Sequence, residues 1–276
     1  MFYTLFININ LVDLKAQSYD KNASNISSIN NIEEKTTDYN VDLLYNNAIN
    51  EVATLAKSLK LDNSLEVYYL FDYILSNGYL SNTDPILTED DSNLLDLSDE
   101  GLLGLDVMYG QMNCRHITDF FTKVLMKLGY DAYAMPCYIT TSKYDESDLP
   151  NHVITIISDN GTLYIDATNK IIFDRYNTNL SDSSDSYYAI AMPEYSSYDR
   201  MVTVTHNSDD DIDYINNLYN NDNEKISNIN ISKEYNRTMN IINNNSKTIN
   251  VFRTNYKNTI LDKLPSKNEI MANTIY

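Results

Sequence analysis

Near Gly129 the chain switches hydrophobic period, and that switch restricts its possible folds more tightly than its composition does. Between Asn113 and Gly129, residues Ile117, Phe120, Phe121, Val124, Leu125 and Leu128 recur at the three-to-four-residue spacing of one helix face. Asn113 is a suitable N-cap, and Gly129 is a suitable left-handed stop. Past Gly129 the pattern is that of strands: residues 130–141, then His152 to Ile157 and Leu163 to Asp166, the last two joined through Asp159-Asn160-Gly161. A capped helix followed by a hairpin is α+β ordering. Upstream, Val41, Leu44, Ala48, Val52, Leu55 and Leu59 keep helical spacing. Leu65, Tyr68, Tyr69, Phe71, Asp72 and Leu75 trace a second helix closed by Gly78, so a helical flank precedes the hairpin.

Residues 17–40 are rich in Asn, Ser and Asp, so 1–40 reads as a flexible lead-in and 41–205 as the principal domain. The remaining 206–276 is an Asn-rich extension, partly helical or disordered, with a candidate helix through Ile212, Ile215, Leu218 and Tyr219. Against 39 Asp and Glu the chain sets only 20 Lys and Arg, a net charge of −19 that repels phosphate backbones and anionic lipid surfaces. Nucleic acid is not an expected partner. No stretch approaches 18 uncharged apolar residues, so no membrane span is expected either. The run from Asp62 to Asp106 holds acidic residues and no Lys or Arg, which reads as a solvated face and loop. Two cysteines cannot build a disulfide framework, and no Cys-x-x-Cys pair offers a structural zinc site. Met1 to Val12 lacks the basic start of a secretory signal, so a soluble cytoplasmic protein is expected, with secretion as the alternative.

Three residues of this layout suit thiol chemistry. Cys114 opens the amphipathic helix, where unpaired backbone N–H groups and the positive end of the dipole favour thiolate over thiol. His152 and Asp166 on the hairpin supply a base and an orienting carboxylate. The backbone N–H of Cys114 is a candidate oxyanion donor, and Gln111 a candidate second. Cys137, in mid-strand, reads as core, and His116 lies two residues from Cys114, too few for both to face one metal on a helix. No metal or cofactor is expected.

The hairpin offers a geometric test, because side chains alternate faces and a one-residue change in the loop reverses which residues meet. If Asn160-Gly161 is a two-residue turn, Asp159 pairs with Thr162, Thr155 falls opposite Asp166, and His152 faces the other side. If Asp159-Asn160-Gly161 is a three-residue loop with Gly161 in a left-handed bulge, Ser158 pairs with Thr162 and Ile154 with Asp166. His152 then shares a face with Asp166 as a diagonal neighbour, about 7–8 Å away by backbone and within hydrogen-bonding reach of its carboxylate. Thiol chemistry requires the second register.

Three stretches carry a family resemblance: Tyr69-Leu70-Phe71-Asp72-Tyr73-Ile74-Leu75; Gly110-Gln111-Met112-Asn113-Cys114-Arg115-His116 running to Lys127-Leu128-Gly129-Tyr130-Asp131-Ala132; and Asn151-His152-Val153 with Leu163-Tyr164-Ile165-Asp166-Ala167-Thr168-Asn169. Across roughly residues 65–170 the chain resembles the transglutaminase-like superfamily of papain-fold cysteine enzymes. The resemblance implies a nucleophile helix packed on an antiparallel sheet, with Cys114 attacking an amide carbonyl, His152 moving protons and Asp166 orienting it. Crosslinking transglutaminases of that superfamily rely on a tryptophan near the oxyanion, and this chain has none; its peptide N-glycanases carry Cys-x-x-Cys zinc ligands, also absent. The implied member is therefore a cysteine peptidase or amidase acting on a peptide or protein substrate. Acyl transfer to an amine and a catalytically inert peptide-binding module are the alternatives.

Overall fold

Two helices with dense apolar stripes build the first layer. Helix α1 (Val41–Ser58) buries Val41, Tyr45, Ala48, Ile49, Val52, Ala53, Leu55 and Ala56, and helix α2 (Ser64–Ser76) buries Leu65, Val67, Tyr68, Tyr69, Leu70, Phe71 and Ile74. These and all following contacts come from a computed structural model, which describes residues 41–82, 104, 106–110, 112–140, 150–159, 161–173, 188–191 and 230–266. The lead-in 1–40, most of the acidic connection before Cys114, Gln111, and the candidate helix around Ile212 lie outside the described residues.

Helix α3 (Cys114–Leu128) starts and stops where its punctuation predicts. Asn113 is the N-cap, and Gly129 closes the helix in the left-handed region at φ 92°, its N–H donating to the carbonyls of Leu125 and Met126. The apolar stripe of α3 lies on the first layer: Phe71 stacks on Phe120 at 5.7 Å and meets Phe121 at 5.1 Å, while Tyr45 tilts onto Phe120 at 5.6 Å. Aromatic pairs at these separations add to plain area burial.

Beyond Gly129 the chain forms β1 (Asp131–Thr140), β2 (His152–Ser158), β3 (Thr162–Asp166), β4 (Ile171–Phe173) and β5 (Tyr188–Ala191). They make one antiparallel sheet in the order β4-β3-β2-β1-β5. The fold is thus α+β, helices packed with a small antiparallel sheet. In the β2–β3 hairpin Ser158 lies opposite Thr162 and Thr155 opposite Ile165, so the connection is the three-residue loop. Gly161 takes φ 119°, open to glycine and costly to other residues, and the Asp159 N–H donates to the Gly161 carbonyl at 2.9 Å. Alternation then sends Ala132, Ile157, Leu163, Ile165 and Ile172 into the helical core, and the register brings His152 and Asp166 together, 2.7 Å apart.

Of the Asn-rich extension, residues 230–266 are described. They form helix α4 (Ile231–Asn244), helix α5 (Ser246–Thr259) and a short 3-10 turn, Leu261–Lys263. Ile242, Ile249, Phe252, Tyr256 and Ile260 enter the same core as α1 and α2. Among the described residues no helix is long and apolar enough to cross a membrane.

Candidate active site

Two buried threonines set the height of α3 on the sheet. Thr118 Oγ1 donates to the Val153 carbonyl at 3.0 Å, and one turn later Thr122 Oγ1 shares a hydrogen bond with Thr155 Oγ1, also at 3.0 Å. Residues four apart stack along one helix face, so one turn before Thr118 the side chain of Cys114 comes level with the first residues of β2. There the half-buried thiol lies beside the His152 imidazole, close enough for each group to shift the other's protonation. Cys114, His152 and Asp166 are thereby brought together.

His152 Nε2 lies 2.7 Å from Asp166 Oδ2, which leaves Nδ1 as the nitrogen available to the sulfur. Asp166 is fully buried and thoroughly held. Its Oδ1 accepts the backbone N–H groups of Thr168 at 3.1 Å and Asn169 at 3.0 Å, and its Oδ2 accepts Asn169 Nδ2 at 2.9 Å. A carboxylate accepting main-chain N–H groups two and three residues on is an Asx turn, so the chain just after β3 orients the acid that orients the histidine. Asn169 stands in the stretch that carries the family resemblance, and the Asp-x-x-Asn spacing after a strand is the signal that marks it.

Cys114 and His152 shift each other toward their charged forms. Burial alone would raise the Cys114 thiol, but the His152 hydrogen bond and charge, helped by the Val153 and Arg115 N–H groups, bring it below its ordinary range. For His152 burial pulls the other way, and the hydrogen bonds and charges of Asp166 and Cys114 override it, raising the imidazole to about 9. Both shifts favour thiolate and imidazolium over thiol and imidazole.

Asn113 Oδ1 accepts the N–H groups of Arg115 at 3.0 Å and His116 at 3.4 Å, and among the described residues no acceptor is bonded to the N–H of Cys114. That N–H therefore has the freedom an oxyanion donor needs; Gln111, the candidate second donor, lies outside the described residues. His116 completes the cap instead of joining the thiol: its Nδ1 accepts the Asn113 N–H at 3.1 Å and its Nε2 sits 3.0 Å from Asp106 Oδ2. Cys137 is buried on β1 directly across from His152, and burial first, then the charges of Asp166 and Cys114, push its thiol well up. The two thiols are thus shifted in opposite directions, Cys114 down and Cys137 up. No group of three or more His, Cys, Asp and Glu among the described residues is arranged to hold a metal ion.

Comparison with protein-family models, with curated proteins and with solved structures finds no match for this chain.

Proposed function

We propose that this protein is a cysteine hydrolase, a peptidase or amidase of the transglutaminase-like, papain-fold type. The observation carrying this reading is the 2.7 Å bond from His152 Nε2 to a fully buried Asp166, with the Cys114 sulfur beside the same imidazole. A nucleophile helix packed on an antiparallel sheet that bears the other two residues agrees with that architecture.

The steps follow from the ion pair. The Cys114 thiolate adds to the carbonyl carbon of a peptide or isopeptide amide; a C–S bond forms, and the carbonyl electron pair moves to oxygen, where the Cys114 N–H receives it. The His152 imidazolium gives its proton to the amide nitrogen, the C–N bond breaks, and the amine leaves a thioester behind. Neutral His152 then takes a proton from water as the hydroxyl adds to the thioester; the acid departs and the thiolate returns with its imidazolium. Asp166 keeps one imidazole orientation and stabilises its charged form. An amine in place of that water would give the transferase.

Iodoacetamide labelling followed across pH, with peptide mapping, tests the nucleophile. Cys114 is expected to react with a midpoint below the ordinary thiol value of about 8.5, and Cys114→Ala is expected to lose both labelling and hydrolysis of a peptide library. Alkylation at Cys137 in place of Cys114, or an unshifted Cys114 midpoint, would remove the enzyme and leave the inert module. Amine adducts accumulating over free acid would select the transferase.

A further inference from the structure

Arg115 follows the nucleophile and is only partly exposed, and its Nε is fully buried without a hydrogen-bond partner. The other described arginines are satisfied. Arg237 holds Asp62 and Glu66, and Arg253 lies over the Tyr79 ring at 5.1 Å. A dry Nε is closed to a ligand as it is to water, so what this guanidinium can offer a partner is its terminal nitrogens, which hold no hydrogen bond among the described residues. In a chain of net charge −19 carboxylates abound, yet none pairs with this group among the described residues. Asp106, close to the same helix end, turns Oδ2 to His116 instead.

The position is suggestive of substrate. One residue along a helix is about 1.5 Å of rise and about 100° of rotation, so the Arg115 side chain leaves the helix beside the Cys114 sulfur and not over it. A substrate whose carbonyl reaches that sulfur presents its neighbouring group to the guanidinium. Guanidinium binds carboxylate through paired charge-assisted hydrogen bonds, and a chain of net charge −19 would otherwise repel an anionic substrate.

Resting on the hydrolase reading, we propose that Arg115 is a specificity residue that receives a substrate carboxylate next to the scissile amide. The carboxylate comes either from an acidic side chain flanking that bond or from a free chain terminus.

Two alkylating agents that differ only in charge test the subsite without requiring turnover. In each, the Cys114 thiolate displaces iodide as the C–S bond forms. The His152 imidazolium favours anionic iodoacetate over neutral iodoacetamide, so the reading is the change in their rate ratio on mutation. Arg115→Gln is expected to lower that ratio by about 10-fold or more, and Arg115→Lys to restore part of it. A ratio unchanged within about twofold in a variant that still alkylates would overturn the proposal. With peptides, Arg115→Gln should lose kcat/KM selectively for a flanking Glu or for a free α-carboxylate, identifying the source, while an amidated neutral peptide is unaffected. Equal loss on all three peptides also overturns it. A charge-dependent alkylation ratio with no peptide cleaved would sink the hydrolase and keep the carboxylate subsite.

Discussion

Helices α2 and α3 both start on an asparagine, and the two starts are finished in opposite ways. At α2 every accessory is structural: Asn63 Oδ1 accepts the Glu66 N–H at 2.9 Å, Glu66 Oε2 accepts the Asp62 N–H at 2.6 Å, and Asp159 from the hairpin loop accepts the Ser64 N–H at 3.0 Å. Arg237 and Glu234 of α4 complete the closure, pairing with Glu66 at 2.9 Å and with Asn63 at 3.0 Å. At α3 the cap is equally complete for Arg115 and His116, but the first N–H, the equivalent of Ser64's, belongs to Cys114 and has no acceptor among the described residues. The orphan donors and positive end of a helix are the same physical resource in both places. Filled by carboxylates, it fastens α4 and the hairpin to the core; left open beside Cys114, it is what the proposed chemistry would use.

Removing the acid behind each start should therefore give opposite phenotypes. Asp166→Ala strips His152 of its anchor and is expected to slow hydrolysis by about 10²- to 10⁴-fold, with the alkylation midpoint of Cys114 drifting up toward that of a free thiol. A circular dichroism melt should show the fold retained, and a variant as active as the parent would refute the assigned role. Glu66→Ala should do the reverse. It empties a buried acceptor, costs about 1–3 kcal/mol of stability, and leaves the alkylation rate alone.

The same pair separates in pH. Burial first, against the Asp62 N–H and Arg237, raises the Glu66 carboxyl above its ordinary 4.5. A raised folded value means that its stabilising contribution is complete below 4.5 and is lost as pH climbs through the folded value. His152 carries the same sign in a later window, complete below 6.5 and lost toward about 9. Urea denaturation at stepped pH should show the acidic-side slope vanish in Glu66→Gln and the alkaline-side slope vanish in Asp166→Ala. Slopes that stay in place would dissolve the distinction.

What sequence could show was whatever local rules decide. The cap at Asn113, the stop at Gly129 and the face of the stripe between them depend on residues within a few turns, and the loop of the hairpin follows from its Asp-Asn-Gly run once the chemistry has chosen a register. The face-sharing of His152 and Asp166 came with that loop. Longer-range facts were hidden. Sparse apolar residues at Ile242, Ile249, Phe252 and Tyr256, set among asparagines, look too few to order a helix, yet they suffice because α1 and α2 offer a ready surface. The role of Arg237 needs a partner 175 residues away, which no periodicity reveals. His116 beside a cysteine suggests chemistry; in the fold it is a cap, because Nδ1 is claimed by the Asn113 N–H.

The smallest expected effect is the most diagnostic of how Asp166 is held. Asn169 Nδ2 and His152 Nε2 both lie against Oδ2, at 2.9 and 2.7 Å, so they share the charge of one oxygen. Asn169→Ala leaves the backbone N–H of residue 169 on Oδ1 and removes only the side-chain donor. The carboxylate loses part of its orientation, which should lower kcat by about 3- to 10-fold. With less competition it also holds the imidazolium more firmly, so the alkaline limb of the pH–rate profile should move up from about 9. A merely structural asparagine would lower stability and leave that limb where it was. A rate loss with an unmoved limb would therefore show that Asn169 supports the turn without tuning the histidine.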